Sequence, residues 1–505
     1  LSPIDTEPSR KNISKETTGI SGLDNVLAGG VPGNRLYVIE GNPGTGKTTL
    51  ALQFLREGVA LGQRVLYVTL SETREELSDV AQSHGWTLDG IDLLELNAIS
   101  ERLQEEATYT VYHPSDVELG ETVKRIRAEV ERLNPQRVAL DSVSELKILS
   151  QTNVRYRREI LGLKQFFAGR KCTVLVLDDC TAGDGEQQLQ SIAHGVVRME
   201  RAAREYGSTK RQIHVIKMRG VRFQEGGHDF VIKTGGVELY PRLSVTDAPL
   251  TKHEGRAESG SPQLDDLLGG GLDRGSSTLL LGPAGCGKTT LCSHYLLAAL
   301  KRGEQVVCYL FEESRETFLR RSAGYGMDFE PYLASGKFLL VQVDIGELSP
   351  GEFASRVQRV VEMDNASFVV IDSLNGYLNG MPSERFLLIH MHELLTYLGR
   401  KGVVTILTIA QHGMLGSAMQ SPIDVSFLAD SVILLRFFEA AGTVRQAISV
   451  VKKRRGVHER TLREMKIGSK GMQIGDVLRE FEGVLTGVPR YSGKKANLMS
   501  DENGS

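Results

Sequence analysis

Gly41-Asn42-Pro43-Gly44-Thr45-Gly46-Lys47-Thr48 decides the reading of this chain, because the pattern returns as Gly282-Pro283-Ala284-Gly285-Cys286-Gly287-Lys288-Thr289. Both satisfy GxxxxGK[ST], and each stands between a β-rich apolar run, Leu36 to Ile39 or Thr278 to Leu281, and an apolar helical pattern. Strand, glycine loop and helix start together make an anion cradle. Backbone N–H groups wrap phosphates, the helix N-terminus adds positive partial charge, the lysine reaches the outer phosphates and the threonine hydroxyl meets a metal ion. The candidate phosphate-binding residues are Gly44, Thr45, Gly46, Lys47, Thr48 and Thr49, and Ala284, Gly285, Cys286, Gly287, Lys288 and Thr289. A single match could be a tight loop without a ligand; two matches in the same context argue for a nucleotide.

The loops belong to a larger repeat. Lys47 and Lys288 lie 241 residues apart, and the same offset carries Leu23 onto Leu264 and Glu72 onto Glu313; Asp141 matches Asp372 at an offset of 231. Two homologous domains follow, expected over 1–247 and 248–487, with a polar tail over 488–505 and a junction in the polar stretch Ser244 to Ser261. In each half, runs such as Val65 to Thr69, Val138 to Leu140 and Thr173 to Leu177, or Val306 to Leu310, Phe368 to Ile371 and Val403 to Ile409, alternate with helical segments. Continuous apolar runs joined by helix-length crossovers predict an α/β domain, mainly parallel, with helices on both faces.

Composition agrees. The 505 residues carry 60 basic and 63 acidic side chains for a net charge of −3, with 40 % hydrophobic residues, which excludes disordered, collagenous and strongly basic classes. The longest apolar runs are far shorter than the roughly 20 residues of a membrane span, and the chain is expected to be soluble and cytoplasmic. Five cysteines without a CxxC pair encode neither a disulfide framework nor a zinc site.

Chemistry beyond the loops rests on carboxylates. Asp141 and Asp372 each end an apolar strand, where a P-loop enzyme places the acid that supports magnesium; with Thr48 and Thr289 they are the expected metal-site residues. After the next strand, Leu70-Ser71-Glu72-Thr73 offers one carboxylate and Phe311-Glu312-Glu313-Ser314 offers two. Glu72, Glu312 and Glu313 are candidates for orienting or deprotonating an attacking water. The plainer alternative is helix-start chemistry, with Ser71 as cap and Glu72, Glu75 and Glu76 favouring the dipole.

These motifs, with Gly326-Met327-Asp328-Phe329, Lys217-Met218-Arg219-Gly220 and Phe481-Glu482-Gly483-Val484-Leu485-Thr486-Gly487, resemble the KaiC family of duplicated RecA-like P-loop ATPases and autokinases. The resemblance implies two tandem RecA-like domains, ATP and Mg2+ as cofactors, and a homohexamer of two stacked rings with ATP between neighbouring subunits. It gives Lys217, Arg219, Lys452 and Arg454 the role of fingers on a neighbour's γ-phosphate. Alignment on a glycine instead of His458 would select Lys453 and Arg455. It also implies Tyr325 against the adenine, with core packing as the alternative, Glu312 as base and metal-site residue of the second domain, and Ser426 as acceptor of a phosphoryl group.

Three departures limit the likeness. Ser71 and Glu72 stand where the family has two glutamates; Ser426 and Phe427 stand where it has adjacent serine and threonine phosphosites; only 18 residues follow Gly487. A KaiA-type activator is therefore not expected, while a KaiB-type partner is left open by the divergent segment Tyr109 to Glu121. A nucleic-acid motor is disfavoured by the negative net charge and by basic clusters better placed for ATP. A scaffold that holds ATP and barely turns it over stays open.

Overall fold

Six consecutive residues, Leu36–Gly41, are all buried, a pattern that only a strand covered on both faces can sustain. The computed structural model describes residues 14–96, 114–150, 152–180, 186–202, 207, 209–244, 254–344, 346–379, 386–411, 427–440, 442–468, 471–484 and 490–491. The chain divides into two compact units, Leu1–Arg242 and Leu243–Ser505. The expected boundary at 247/248, Ser426 and nearly all of the expected tail lie outside the described residues.

Numbered along the chain, the main strands of the first unit are β1 (Leu36–Gly41), β2 (Val65–Thr69), β3 (Ile91–Glu95), β4 (Arg137–Asp141), β5 (Thr173–Asp179), β6 (Gly195–Ala202), β7 (Lys210–Met218), β8 (Gly227–Lys233) and β9 (Gly236–Tyr240). They form one sheet in the order β9-β8-β7-β6-β1-β5-β4-β2-β3. From β6 to β3 the pairs are parallel, whereas β6 to β9 run antiparallel as a meander. The second unit repeats this with β10 (Ser277–Gly282), β11 (Val306–Leu310), β12 (Phe338–Gln342), β13 (Phe368–Asp372), β14 (Val404–Ala410), β15 (Ser431–Ala440), β16 (Thr443–Lys453), β17 (Arg463–Gly468) and β18 (Gly471–Val477). Their order is β12-β11-β13-β14-β10-β15-β16-β17-β18. Both units are tandem RecA-like α/β domains, with separate apolar clusters on the two faces of each sheet.

Two features depart from the expected pattern. Several strands outrun their apolar runs, because polar partners extend them: Glu40, 2 % exposed, continues β1 by pairing with Arg198 at 2.7 Å. The repeat also includes matching β-bulges, which leave Ile216 and Val451 out of register and about half exposed beside Lys217 and Lys452. Bulges re-aim neighbouring side chains. Among the described residues no helix is long and apolar enough to cross a membrane.

Arg137 locks the first unit. Its fully buried guanidinium donates to Gln63 Oε1 at 2.6 Å, Thr17 O at 2.7 Å and Phe54 O at 2.9 Å, lies 3.5 Å from Glu16, and stacks over Phe54. The second unit has Phe368 at this place in the sheet. Removing one partner from a buried ionic cluster strands the other. Arg137→Ala is therefore expected to destabilise the first unit by about 3 kcal/mol, read as a lower midpoint for its denaturant transition with the second unit's transition unmoved.

Candidate functional site

Each glycine-rich loop turns directly out of a buried strand into a helix, Lys47–Ala60 or Lys288–Lys301. The turn needs left-handed residues: Gly46 has φ +103° and Gly287 φ +98°, and a Cβ there would run into Ile232 or Ile467. Only glycine satisfies both limits. The loop backbone is thus held open for a ligand at the helix start.

The lysines fold back onto their loops. Lys47 Nζ donates to Gly41 O at 2.7 Å and Asn42 O at 3.2 Å; Lys288 Nζ donates to Gly282 O at 2.9 Å and Pro283 O at 2.7 Å. Both are at least nine-tenths buried. Thr45 in the first loop donates to Asn42 O at 2.9 Å, and its counterpart Cys286 is a buried thiol whose titration burial pushes upward.

Parallel pairing brings the strand-ending aspartates to the same end of the sheet. Thr48 Oγ1 donates to Asp141 Oδ2 at 3.0 Å, and Tyr67, on the neighbouring strand β2, donates to the same oxygen at 2.5 Å. Burial raises the Asp141 pKa against these two hydrogen bonds. Asp372 is held from the other side, by Thr408 of β14 donating to Oδ1 at 2.5 Å. A threonine hydroxyl beside a buried carboxylate at a phosphate-binding loop is a donor set that fits magnesium. Among the described residues no three His, Cys, Asp or Glu side chains are grouped to hold a metal by themselves.

Glu72 follows β2, and its own N–H donates to Thr69 Oγ1 at 2.9 Å. The helix cap is Thr73, which forms a capping box with Glu76, so the plainer alternative of Ser71 as cap does not hold, though Glu75 and Glu76 do stand in the first turn. Thr73 wins because it stands three residues before Glu76, the spacing a reciprocal box requires. Glu72 is thereby left free of capping duty. Its Oε2 is buried without a hydrogen-bond partner among the described residues, and its pKa is pushed up to about 7 by burial first and then by Asp141, Glu76 and Asp179.

In the second unit the residue in register with Glu72 is Glu313, and it is tied to Arg321 at 2.5 Å. Glu312 is exposed, with its Cγ near Gly376. Tyr325 ends the helix Arg315–Gly324 and packs against the apolar cluster below it. His84 takes the corresponding place in the first unit, within 3.3 Å of Thr49 Oγ1.

The basic residues lie at the opposite end of the sheets from the loops. Gly41 pairs with Met199, but Lys217 pairs with Val196 and Arg219 N donates to His194 O, past the start of β6. In the second unit Lys452 pairs with Val432 and Arg454 N donates to Asp430 O, so Lys452 matches Lys217 and Arg454 matches Arg219. By strand register, Lys453 and Arg455 do not match the first unit's pair. The Lys453 side chain is covered, 3.7 Å from Asp273, and donates to Leu268 O at 2.5 Å, where Met218 packs in the first unit; Arg455 is exposed.

Lys217, Arg219 and Lys164 cap successive carbonyls of the helix Glu186–Ile192: Gln190 O, Ser191 O at 3.0 Å and Ile192 O at 2.7 Å respectively. Cations at a helix C-terminus are favoured by its partial negative charge. Lys164 and the carboxylates Asp178 and Asp179 were not anticipated. The acids end a strand as Asp141 does, a signal the sequence offers; Asp178, half-buried and bonded to Ser144, is raised to about 6 by the loss of solvent around it.

Two glycine loops on the central strands of repeated sheets, each with a strand-ending aspartate, define a tandem P-loop nucleotide-binding protein. A family model described as "ATPase: KaiC" matches residues 16–244 and again 257–478. The chain belongs to the KaiC ATPase family. It is 27 % identical to "Circadian clock protein KaiC3" of Synechocystis sp. over 95 % of both chains. It is also 27 % identical to "Circadian clock oscillator protein KaiC" of Thermosynechococcus vestitus, over 96 % of this chain and 93 % of the relative, and of Synechococcus elongatus, over 94 % and 92 %.

The Glu72 shift has a pH consequence. A carboxyl raised in the folded state costs nothing while it is protonated in both states, and its burial penalty grows as pH rises from the ordinary value of 4.5 through about 7. The Glu72 carboxyl should cost the first unit stability over that window, and Glu72→Gln should lessen the loss by that share; parallel pH–denaturation curves for the two proteins would contradict this.

Proposed function

We propose that the chain works as a ring-forming ATPase of the KaiC type, in which each nucleotide is held by one subunit's loop and completed by its neighbour's basic residues. The observation that carries the reading is the separation within each unit: loop at one end of the sheet, Lys217 and Arg219 or Lys452 and Arg454 at the other. A finger that cannot serve its own loop is suited to serve the next one, and a closed head-to-tail ring supplies that contact for every subunit. A homohexamer of two stacked rings is the assembly this likeness favours.

In the first domain Lys47 and the loop N–H groups hold the phosphates, and Glu72 accepts a proton from a water that attacks the γ-phosphorus as the bond to the β–γ bridging oxygen breaks. Lys217 and Arg219 of the neighbour offset charge on the transferred group. Thr48 with Asp141, and Thr289 with Asp372, are the residues to hold Mg2+, which would neutralise phosphate charge. In the second domain Glu312 is the proposed base, since Glu313 is engaged by Arg321.

Ser426 as phosphoryl acceptor draws support from its neighbour: Arg454 Nη2 donates to Phe427 O at 3.2 Å and Nη1 approaches Asp430 at 3.4 Å, which ties the finger to the chain beside the serine. Transfer would place the phosphoryl group on Ser426 Oγ as Glu312 takes the hydroxyl proton and the bond from the γ-phosphorus to the β–γ bridging oxygen breaks, releasing ADP. A clock-type or signalling output, with a KaiB-type partner, is the biological role this chemistry would serve.

Mixing two inactive chains tests the shared site. In a Lys288→Ala background, Glu72→Gln and Arg219→Ala should each lose on the order of 10³-fold in phosphate release, and mixed rings should recover part of it, because the first supplies Arg219 to the second. Activity that stays lost in mixed rings would place the finger within its own subunit. Incubation of the wild-type chain with γ-labelled ATP is expected to label Ser426, and Glu312→Gln to abolish the label; label elsewhere would remove the serine from this role.

A further inference from the structure

Lys47 has three ammonium protons, and all three are engaged: on Gly41 O, on Asn42 O, and on Asp179 Oδ1 at 2.8 Å. Lys288 makes the same two carbonyl contacts, but its third neighbour is the Cys286 sulfur at 3.9 Å. The difference is built into the sheet. Gly41 at the root of the first loop pairs with Asp179 at the end of β5, whereas Gly282 pairs with Ala410 at the end of β14.

The Asp179 backbone is held in place, since its N–H donates to Ser144 Oγ at 3.1 Å, and that hydroxyl donates to Asp178 at 3.1 Å. With Lys47 only 8 % exposed and Asp179 31 % exposed, the pair is partly shielded from the water and salt that weaken surface ion pairs. A phosphate arriving at Lys47 therefore meets a competing anion that is part of the chain. It must take the ammonium from a carboxylate and then sit beside that carboxylate, with Asp141 and Glu72 close by as further negative groups.

We propose that Asp179 is an internal competitor for the phosphates at Lys47, a positioning residue that makes the first domain bind nucleoside triphosphate more weakly than it would with the alanine of the second. This inference rests on the nucleotide-site reading of both loops. Asp179 acts through Lys47, so its removal strengthens binding, the reverse of what structural damage does.

The test uses full-length chains carrying Lys288→Ala, so that only the first site binds, titrated with MgATP by calorimetry. Asp179→Ala and the isosteric Asp179→Asn should each tighten Kd by about tenfold, and adding Lys47→Ala should erase that gain. The mirror experiment places Ala410→Asp in a Lys47→Ala chain, where second-site affinity should fall by a similar factor. Measurable first-site binding that both Asp179 variants leave unchanged or weaken overturns the competitor role and leaves the nucleotide site standing. Absence of binding to the Lys288→Ala and Lys47→Ala chains alike overturns the nucleotide reading itself, and this inference with it.

Discussion

Everything chemical in each unit depends on the parallel pairing of one buried strand with its two neighbours. β1 and β10 are covered by helices on both faces, so no residue on them can turn to water except at the ends. At the C-terminal end the chain must reverse into a helix with its first N–H groups unpaired, and that is where the phosphate loop forms. Parallel neighbours end at the same level, which places the side chains after β2, β4 and β5 around the loop without any other device. Asp141, Glu72 and Asp179 come from segments far apart in sequence and share one site for this reason alone.

The repeat shows how one scaffold accepts different local chemistry. Asp141 is fixed by a tyrosine reaching from β2, and Asp372 by a threonine on β14, so the same carboxylate is oriented from opposite sides. The carboxylate after the next strand has one buried oxygen without a hydrogen-bond partner among the described residues in the first unit and is bound to Arg321 in the second. The loop lysine meets a carboxylate in one and a thiol in the other. The two sites are thus electrostatically distinct though their backbones match, and equal behaviour of the two domains is not what their charges favour.

At the other end of the sheet, the bulges beside Lys217 and Lys452 and the helix carbonyls that receive Lys217, Arg219 and Lys164 hold cations in register with the strands. The Lys453 assignment illustrates the limit of sequence alignment. Spacing alone permits either lysine as the match to Lys217, whereas pairing across the bulge sets Lys452 level with Lys217 and turns Lys453 onto Asp273.

Much was legible in the chain alone: the loops, the repeat, the alternation of buried strands with helices, and the strand-ending aspartates are local patterns, and local patterns obey periodicity and turn chemistry. The antiparallel meander of β6 to β9, the Thr73 cap, the pairing of Glu313 with Arg321 and the contact of Asp179 with Lys47 were decided only in three dimensions. Each is a choice among partners that sequence leaves equally available. Which carboxylate meets which cation is set by the register between strands far apart in sequence, as the pairing of Gly41 with Asp179 shows, and register is a property of the packed sheet.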